Sequence, residues 1–444
     1  MAGLWARARA MAEQAPPERN RYVDFLRAFS ILAVVIGHWL VAAPYLDESG
    51  AVQGGHLLGI LPWSQWLTWG FQVMPIFFLV GGYSNGVSWA ATRAKNGHYS
   101  DWFASRVQRL INPVFPVLLV WGIIAFFGTQ LGIERAIVRM ATELALIPVW
   151  FLAVYLLVTA LAPLTYAFWR KARLWSFAWL AACAALIDIL TLFYGVPYVN
   201  FLNFLFVWVG IHQLGYAWRE GRFDSRATAL LWFLGGLALL LLLVGIGPYP
   251  VAMIGVPGAE ITNSMPPTIA LMALGIMQTG LALSFEKPAR RMLDRIGIWT
   301  GVVLMNGMIM SIYLWHLTAF VLVMIAAWLM GGVGLGVEPG TADWWLARPI
   351  WFALYIVVTL PLIMIFVRFE RGSGPAKRDY PVPHWRLVLG LLLICLGLAM
   401  TAAISIASPD GVTGVRLWAV ALPFLGAAFV GFGPVYRMVK RTGA

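Results

Sequence analysis

The chain has 444 residues, of which 61% are hydrophobic and 11% charged, and its mean hydropathy is +0.79. That composition excludes a water-soluble globular domain and marks an all-α polytopic membrane protein. The formal net charge of +12 would suit a nucleic-acid binder, but Lys and Arg also gather in the cytoplasmic loops of membrane proteins, and the distribution along the chain separates the two.

Residues 1–19 form a basic tail that holds Arg7, Arg9 and Arg19. The first apolar run, Tyr22 to Ala43, is long enough to span a bilayer, for which about 20 residues suffice. It carries Asp24, Arg27 and His38. Ionisable groups inside a span are costly in lipid and mark functional sites. Arg27 and His38 are 11 positions apart, so at ~100° per residue they lie only ~20° from the same stripe, with ~16 Å between them along the axis. Asp24 is one turn before Arg27, close enough to pair with it. A cleaved signal peptide is the alternative for this region, but the run exceeds a typical signal core and contains two charges.

Eleven further spans follow, at roughly 66–90, 112–128, 144–168, 174–193, 199–218, 228–246, 268–285, 300–330, 349–368, 386–407 and 415–436. The span at 300–330 is long, which predicts a tilt or a break near Asn306-Gly307. With the N-terminus in the cytoplasm, the inner segments hold 26 Lys and Arg and the outer ones 4. This asymmetry predicts twelve helices with both termini cytoplasmic, in a plasma membrane, and accounts for the charge without nucleic acid. Two long outer loops, 44–65 and 247–267, are candidate binding surfaces. The polar stretch 371–385 reads as a cytoplasmic linker dividing a core of 20–370 from a last pair of helices and a basic tail at 386–444. Cys183 and Cys395 lie in apolar spans and read as small hydrophobes rather than as a disulfide or a metal site.

Several motifs carry chemistry. His38 is a candidate general base, because an imidazole titrates near neutral pH. Arg106 and Arg109, one turn apart at the inner mouth of the third span, read either as a phosphate clamp or as an ordinary basic flank. Phe77-Phe78-Leu-Val-Gly81-Gly82-Tyr83-Ser84-Asn85 combines a glycine pair for close helix contact with polar groups at depth. Tyr313-Leu-Trp-His316 places His316 inside a span, as a second site residue or as a structural histidine. His212 reads as structural. Asn203 and Asn200 are candidates for lining a cavity, with Tyr83, Ser84, Asn85, Tyr313 and His316.

Taken together, these motifs resemble the acyltransferase-3 family of integral membrane O-acyltransferases. Asp24-Phe-Leu-Arg27 followed by His38 is similar to the family's opening motif, and Arg106-x-x-Arg109 to its arginine pair. Phe77 to Tyr83 is similar to its Phe-Phe-x-x-Ser-Gly motif, with Gly81 where serine is usual. Pro148-Val-Trp150-Phe151-Leu152 and Tyr313 to His316 match as well. The wording around His212-Gln213-Leu-Gly and Asn263-Ser-Met-Pro-Pro267 is similar to actinobacterial members. A glutamate that some members carry in the fourth span is absent here, where the sequence runs from Trp150 to Tyr155.

The resemblance covers roughly residues 20–370. It implies transfer of an acyl group, acetyl by default, from acyl-CoA to a hydroxyl on a sugar, glycolipid or metabolite, with no tightly bound cofactor and no metal. It further implies His38 as base, Asp24 and Arg27 in support, and Arg106 and Arg109 on the CoA phosphates. A twelve-span secondary transporter is the alternative class. Against it, the halves do not match each other, and the loop from Thr92 to Arg109 has no transporter signature.

Overall fold

The computed structural model describes residues 2–370 and 382–442. Most of the expected linker at 371–385 therefore lies outside the described residues, as do the last two positions. The described chain is almost entirely helical. In order run α1 (Ala2–Glu13), α2 (Arg21–Val41), α3 (Leu57–Ile60), α4 (Thr68–Phe71), α5 (Met74–Ala94), α6 (Tyr99–Ile111) and α7 (Val114–Gln130). Then come α8 (Arg135–Leu146), α9 (Val149–Ala172), α10 (Leu174–Leu192), α11 (Asn203–Arg219), α12 (Arg226–Gly245), α13 (Ile269–Ser284) and α14 (Glu286–Leu293). The last are α15 (Ile296–Asn306), α16 (Ile309–Leu329), α17 (Ala342–Glu370), α18 (His384–Ile404), α19 (Leu417–Val430) and α20 (Gly433–Thr442).

Eight helical stretches among the described residues are long and apolar enough to cross a membrane, or ten if the bent pairs α13–α14 and α19–α20 each make one span. By that measure at most ten of the twelve expected spans are met among the described residues. The two left over are α5 and α11. Both carry polar side chains into the protein interior, Asn85 on one and His212 and Gln213 on the other, all nearly inaccessible to solvent. Other helices rather than lipid surround those faces, so such side chains are tolerated there.

The second expected span also moves. The sequence pattern predicts 66–90, but α5 begins at Met74, and residues 57–71 form short helical turns instead. Composition alone does not separate an apolar turn from the start of an apolar helix. The long span at 300–330 is broken where expected: α15 ends at Asn306 and α16 starts at Ile309.

The chain divides into two compact units. The first comprises Met1–Ala90, Leu161–Gly307 and Val337–Trp344. Here α12 and α13 form the closest helix pair, and α10, α11 and α13 pack together. The N-terminal segment, expected as a tail, contains α1, which lies on α15 and seats Ala8 and Ala12 in the interior. Trp299 of α15 donates its indole Nε1–H to the Ala12 carbonyl at 3.1 Å, with the guanidinium groups of Arg19 and Arg21 over its ring. Beyond α2, β1 (Tyr45–Leu46) and β2 (Val52–Gln53) pair antiparallel. Asp47 closes this hairpin, accepting from the Ser49 hydroxyl, the Gln53 amide and the Ala51 N–H. Those bonds hold the Asp47 carboxyl at about 2, below its ordinary value.

The second unit comprises Ala91–Ala160, Met308–Gly336 and Trp345–Ala444. Its helices α18 and α19 pack on each other and lean on α6, α7 and α8. Phe115 of α7 stacks on Phe424 of α19 with ring centres 4.5 Å apart. Arg135 donates to the Pro409 carbonyl at 2.6 Å and Gln130 to the Val412 carbonyl at 2.7 Å, fastening the loop between α18 and α19. Helices α18 and α19 are thus packed within this unit.

Candidate functional site

In the first unit, Asn20 caps α2 by accepting from the Tyr22 N–H at 3.1 Å. One turn into the helix, Asp24 is 5% exposed. Its Oδ1 accepts from Arg27 at 3.0 Å, as the spacing predicted, and its Oδ2 accepts from Arg19 at 2.7 Å. Arg27 turns its other guanidinium nitrogen to the Ser84 hydroxyl at 3.0 Å. Asn306 donates to the Asp24 carbonyl at 2.9 Å from the end of α15. Four segments therefore meet around the Asp24–Arg27 pair, and Arg27 and Ser84, both named from sequence, are brought together. Arg19 and Asn306 were missed as members. In the sequence Arg19 looks like tail charge, and Asn306 marks only a helix break.

Farther along α2, His38 lies in the last turn and is half-buried. The helix runs unbroken from Arg21 to Val41, so the stripe shared by Arg27 and His38 is preserved.

Helices α5 and α11 cross at glycines. A Cβ on Gly82 would lie 1.8 Å from the His212 carbonyl oxygen, and one on Gly215 would lie 2.2 Å from that of Leu79. Only glycine permits this approach. It puts Asn85 Nδ2 3.1 Å from His212 Nε2, both side chains buried. An amide nitrogen only donates, so Nε2 accepts and the ring hydrogen sits on Nδ1. Tyr83 packs its ring on Trp218, 4.6 Å between centres.

Asn203 is fully buried at the start of α11 and donates to Asp188 at 2.7 Å. Asp188 also accepts from the Tyr249 hydroxyl at 3.0 Å and from the Ile269 N–H at 2.8 Å, so a carboxylate sits at the N-terminus of α13. Asp188 escaped the sequence reading, although an acid inside an apolar span is itself the signal.

In the second unit, two motifs far apart in sequence meet. The Tyr313 hydroxyl donates to the Pro148 carbonyl at 2.9 Å, and the Phe151 ring packs edge-on against that of Tyr313. His316 is fully buried, with Nδ1 2.7 Å from the Tyr313 carbonyl oxygen. A carbonyl only accepts, so Nδ1 carries a hydrogen.

Arg106 and Arg109 lie on α6. Arg106 is half-buried with its guanidinium over the Trp102 ring, 4.8 Å from the centre. Arg109 is exposed and within electrostatic reach of Glu370. Glu370 ends α17 and accepts from the N–H groups of Met310 and Ser311 at 3.0 Å and from the Ser311 hydroxyl at 2.8 Å. It thereby caps α16, the helix that carries Tyr313 and His316. This cap draws on residues about 60 positions apart, so no local sequence signal announces it.

Apolar spanning helices around buried polar clusters define a multi-pass membrane protein. Residues 20–368 match a family model, acyltransferase-3, described as an acyltransferase domain. The chain belongs to that family and is a membrane acyltransferase. Comparison with curated proteins finds no match, and comparison with solved structures finds none.

Proposed function

We propose that this protein is an acyl-CoA-dependent O-acyltransferase of the plasma membrane, with both termini in the cytoplasm. It moves an acyl group, acetyl by default, to a hydroxyl on a carbohydrate, glycolipid or secondary metabolite. The observation that carries the reading is the unbroken α2, with His38 on the stripe of an Arg27 that Asp24 and Ser84 hold in place.

His38 accepts the proton of the acceptor hydroxyl as its oxygen attacks the thioester carbonyl. The tetrahedral intermediate collapses, the carbon–sulfur bond breaks, and the leaving thiolate takes the proton from the imidazolium. The acyl ester and free CoA are the products. Arg106 and Arg109 bind the donor's phosphates, a task suited to guanidinium groups. Tyr83, Ser84, Asn85 and Asn203 add polar groups within the first unit, and Tyr313 and His316 within the second.

The test is thioester cleavage by the purified protein in lipid vesicles, followed as release of free CoA. His38→Ala abolishes turnover while the protein still folds and inserts; wild-type turnover in that variant refutes the role of His38. Arg106→Ala combined with Arg109→Ala weakens binding of CoA, and an unchanged affinity removes the clamp.

A further inference from the structure

We infer that residues 57–71 lie in the plane of the membrane–water boundary as an interfacial element, docked on phospholipid. The segment lies in the connection from α2 to α5, after the hairpin and immediately before α5. Between Leu57 and Val73 there is no charged residue and no histidine. A connection bathed by water on its outer side would not be built this way, whereas a lipid boundary favours apolar and tryptophan side chains.

The exposures are periodic. Ile60, Trp63, Trp66, Leu67 and Phe71 are turned outward, with Trp63 at 55% and Trp66 at 51%. Pro62–Leu67 is a 3-10 helix, in which positions three apart fall on one face, so the two tryptophans share a side. Ser64, Thr68 and Gln72 face inward and are buried.

The inward side is fixed within the same unit. The Trp69 indole donates to the Val251 carbonyl at 2.9 Å, and Gln72 donates to that of Met253 at 3.2 Å. Gln278 donates to the carbonyls of both Trp69 and Gln72 at 3.0 Å. The apolar stripe is therefore held outward by a rigid backing, rather than being the loose surface of a mobile loop. The adjoining hairpin, with Asp47 and exposed Glu48, supplies the contrast of a hydrated turn.

Lipid is favoured over a protein partner because α3 and α4 pack against the spanning helix α2, and the stripe ends at Phe71, three residues before α5 begins. The residues just before the segment brace the end of α2. Ala43 N–H donates to the Gly55 carbonyl at 2.9 Å, and Ala42 pairs with His56, one turn beyond His38.

Spin labels test the placement. In a background of Cys183→Ala and Cys395→Ser, single cysteines replace Ile60, Trp63 and Trp66, with Glu48→Cys as the aqueous control. Each labelled protein is reconstituted into vesicles of phosphatidylethanolamine and phosphatidylglycerol after eluting as a folded species. Collisions with oxygen, which concentrates in lipid, are compared with collisions with a water-soluble nickel chelate. Oxygen dominates at 60, 63 and 66, and nickel at 48. Nickel-dominated relaxation at the three stripe positions overturns the proposal in favour of a hydrated loop. Weak collisions with both reagents overturn it in favour of a covering protein, including a second copy of this chain.

Discussion

The Tyr313 hydroxyl reaches across 165 positions of sequence to the Pro148 carbonyl, and the two atoms are 2.9 Å apart inside the second unit. This bond ties the start of α16 to the start of α9. Tyr313→Phe removes the donor and leaves a buried acceptor without its partner, which costs about 1–2 kcal/mol. The expected outcome is a lower melting temperature for the purified protein, read by the rise in reactivity of the half-buried Cys183 and Cys395 towards a thiol reagent during heating. An unchanged melting curve would mean that the bond contributes nothing measurable.

Asp24 holds two arginines at once, so its charge matters more than its shape. Asp24→Asn preserves the volume but weakens both charge-assisted bonds, at a cost of about 1.5–3 kcal/mol. Part of that is recovered because Arg19 is 46% exposed and can turn to water. Arg27→Lys tests the fork geometry instead. A lysine is a single-point donor and does not replace a guanidinium that spans Asp24 and Ser84. Thioester turnover falls more steeply than stability in Arg27→Lys, and parallel losses would assign Arg27 a packing role alone.

The crossing of α5 and α11 separates two kinds of glycine. Gly82→Ala drives a methyl into the His212 carbonyl, and backbone cannot yield as a side chain does. A loss of about 1–3 kcal/mol or more follows from such overpacking, with disturbance of the Asn85–His212 contact. Gly122→Ala in α7 is the control, since nothing lies within 4 Å of its Cβ position. There the better helix propensity of alanine, worth about 1 kcal/mol, makes the change neutral or stabilising. Equal effects at both positions would dismiss the close-contact account.

Much of this arrangement was legible from residue spacing. The Asp24–Arg27 pair follows from one helical turn, and the break at Asn306-Gly307 from a run too long for one straight span. What stayed hidden depends on partners distant in the chain. Ser84 receives Arg27 from another helix, Asn203 serves Asp188, and Glu370 caps a helix some 60 positions away. The start of the second span was misread for a different reason: residues 57–73 are apolar because of where they lie, and composition does not distinguish that from a helix crossing the bilayer.

The hairpin after α2 supplies a pH test. The Asp47 carboxyl titrates at about 2, against an ordinary 3.8, because the Ser49 and Gln53 side chains and the Ala51 N–H all donate to it. A depressed carboxyl contributes stability that is complete above the ordinary value and is lost as pH falls from 3.8 through about 2. Protection of the Ala51 amide from hydrogen exchange should therefore hold above that window and vanish below it, after correction for intrinsic exchange. In Asp47→Asn protection is reduced at every pH and the transition is absent. A transition that persists in the variant assigns it to another group.

Glu370 offers readouts of opposite sign. It satisfies two backbone N–H groups and one hydroxyl at the start of α16, a helix terminus that favours negative charge. Glu370→Ala leaves those donors without that acceptor, and a loss of about 1–2 kcal/mol is expected from removing such a cap. The same carboxylate is an anion within reach of Arg109. On the proposed reading, Arg109 takes the donor's phosphate, and the resident carboxylate draws part of its field. Glu370→Ala then binds CoA more tightly while melting earlier, and raising the salt concentration narrows the difference in affinity because screening weakens the pull of Glu370 on Arg109 and its repulsion of the phosphate. Glu370→Gln keeps an acceptor for the helix terminus but not the charge, so it recovers part of the stability and retains the tighter binding. Weaker CoA binding in both variants would make Glu370 a support of the clamp rather than its competitor.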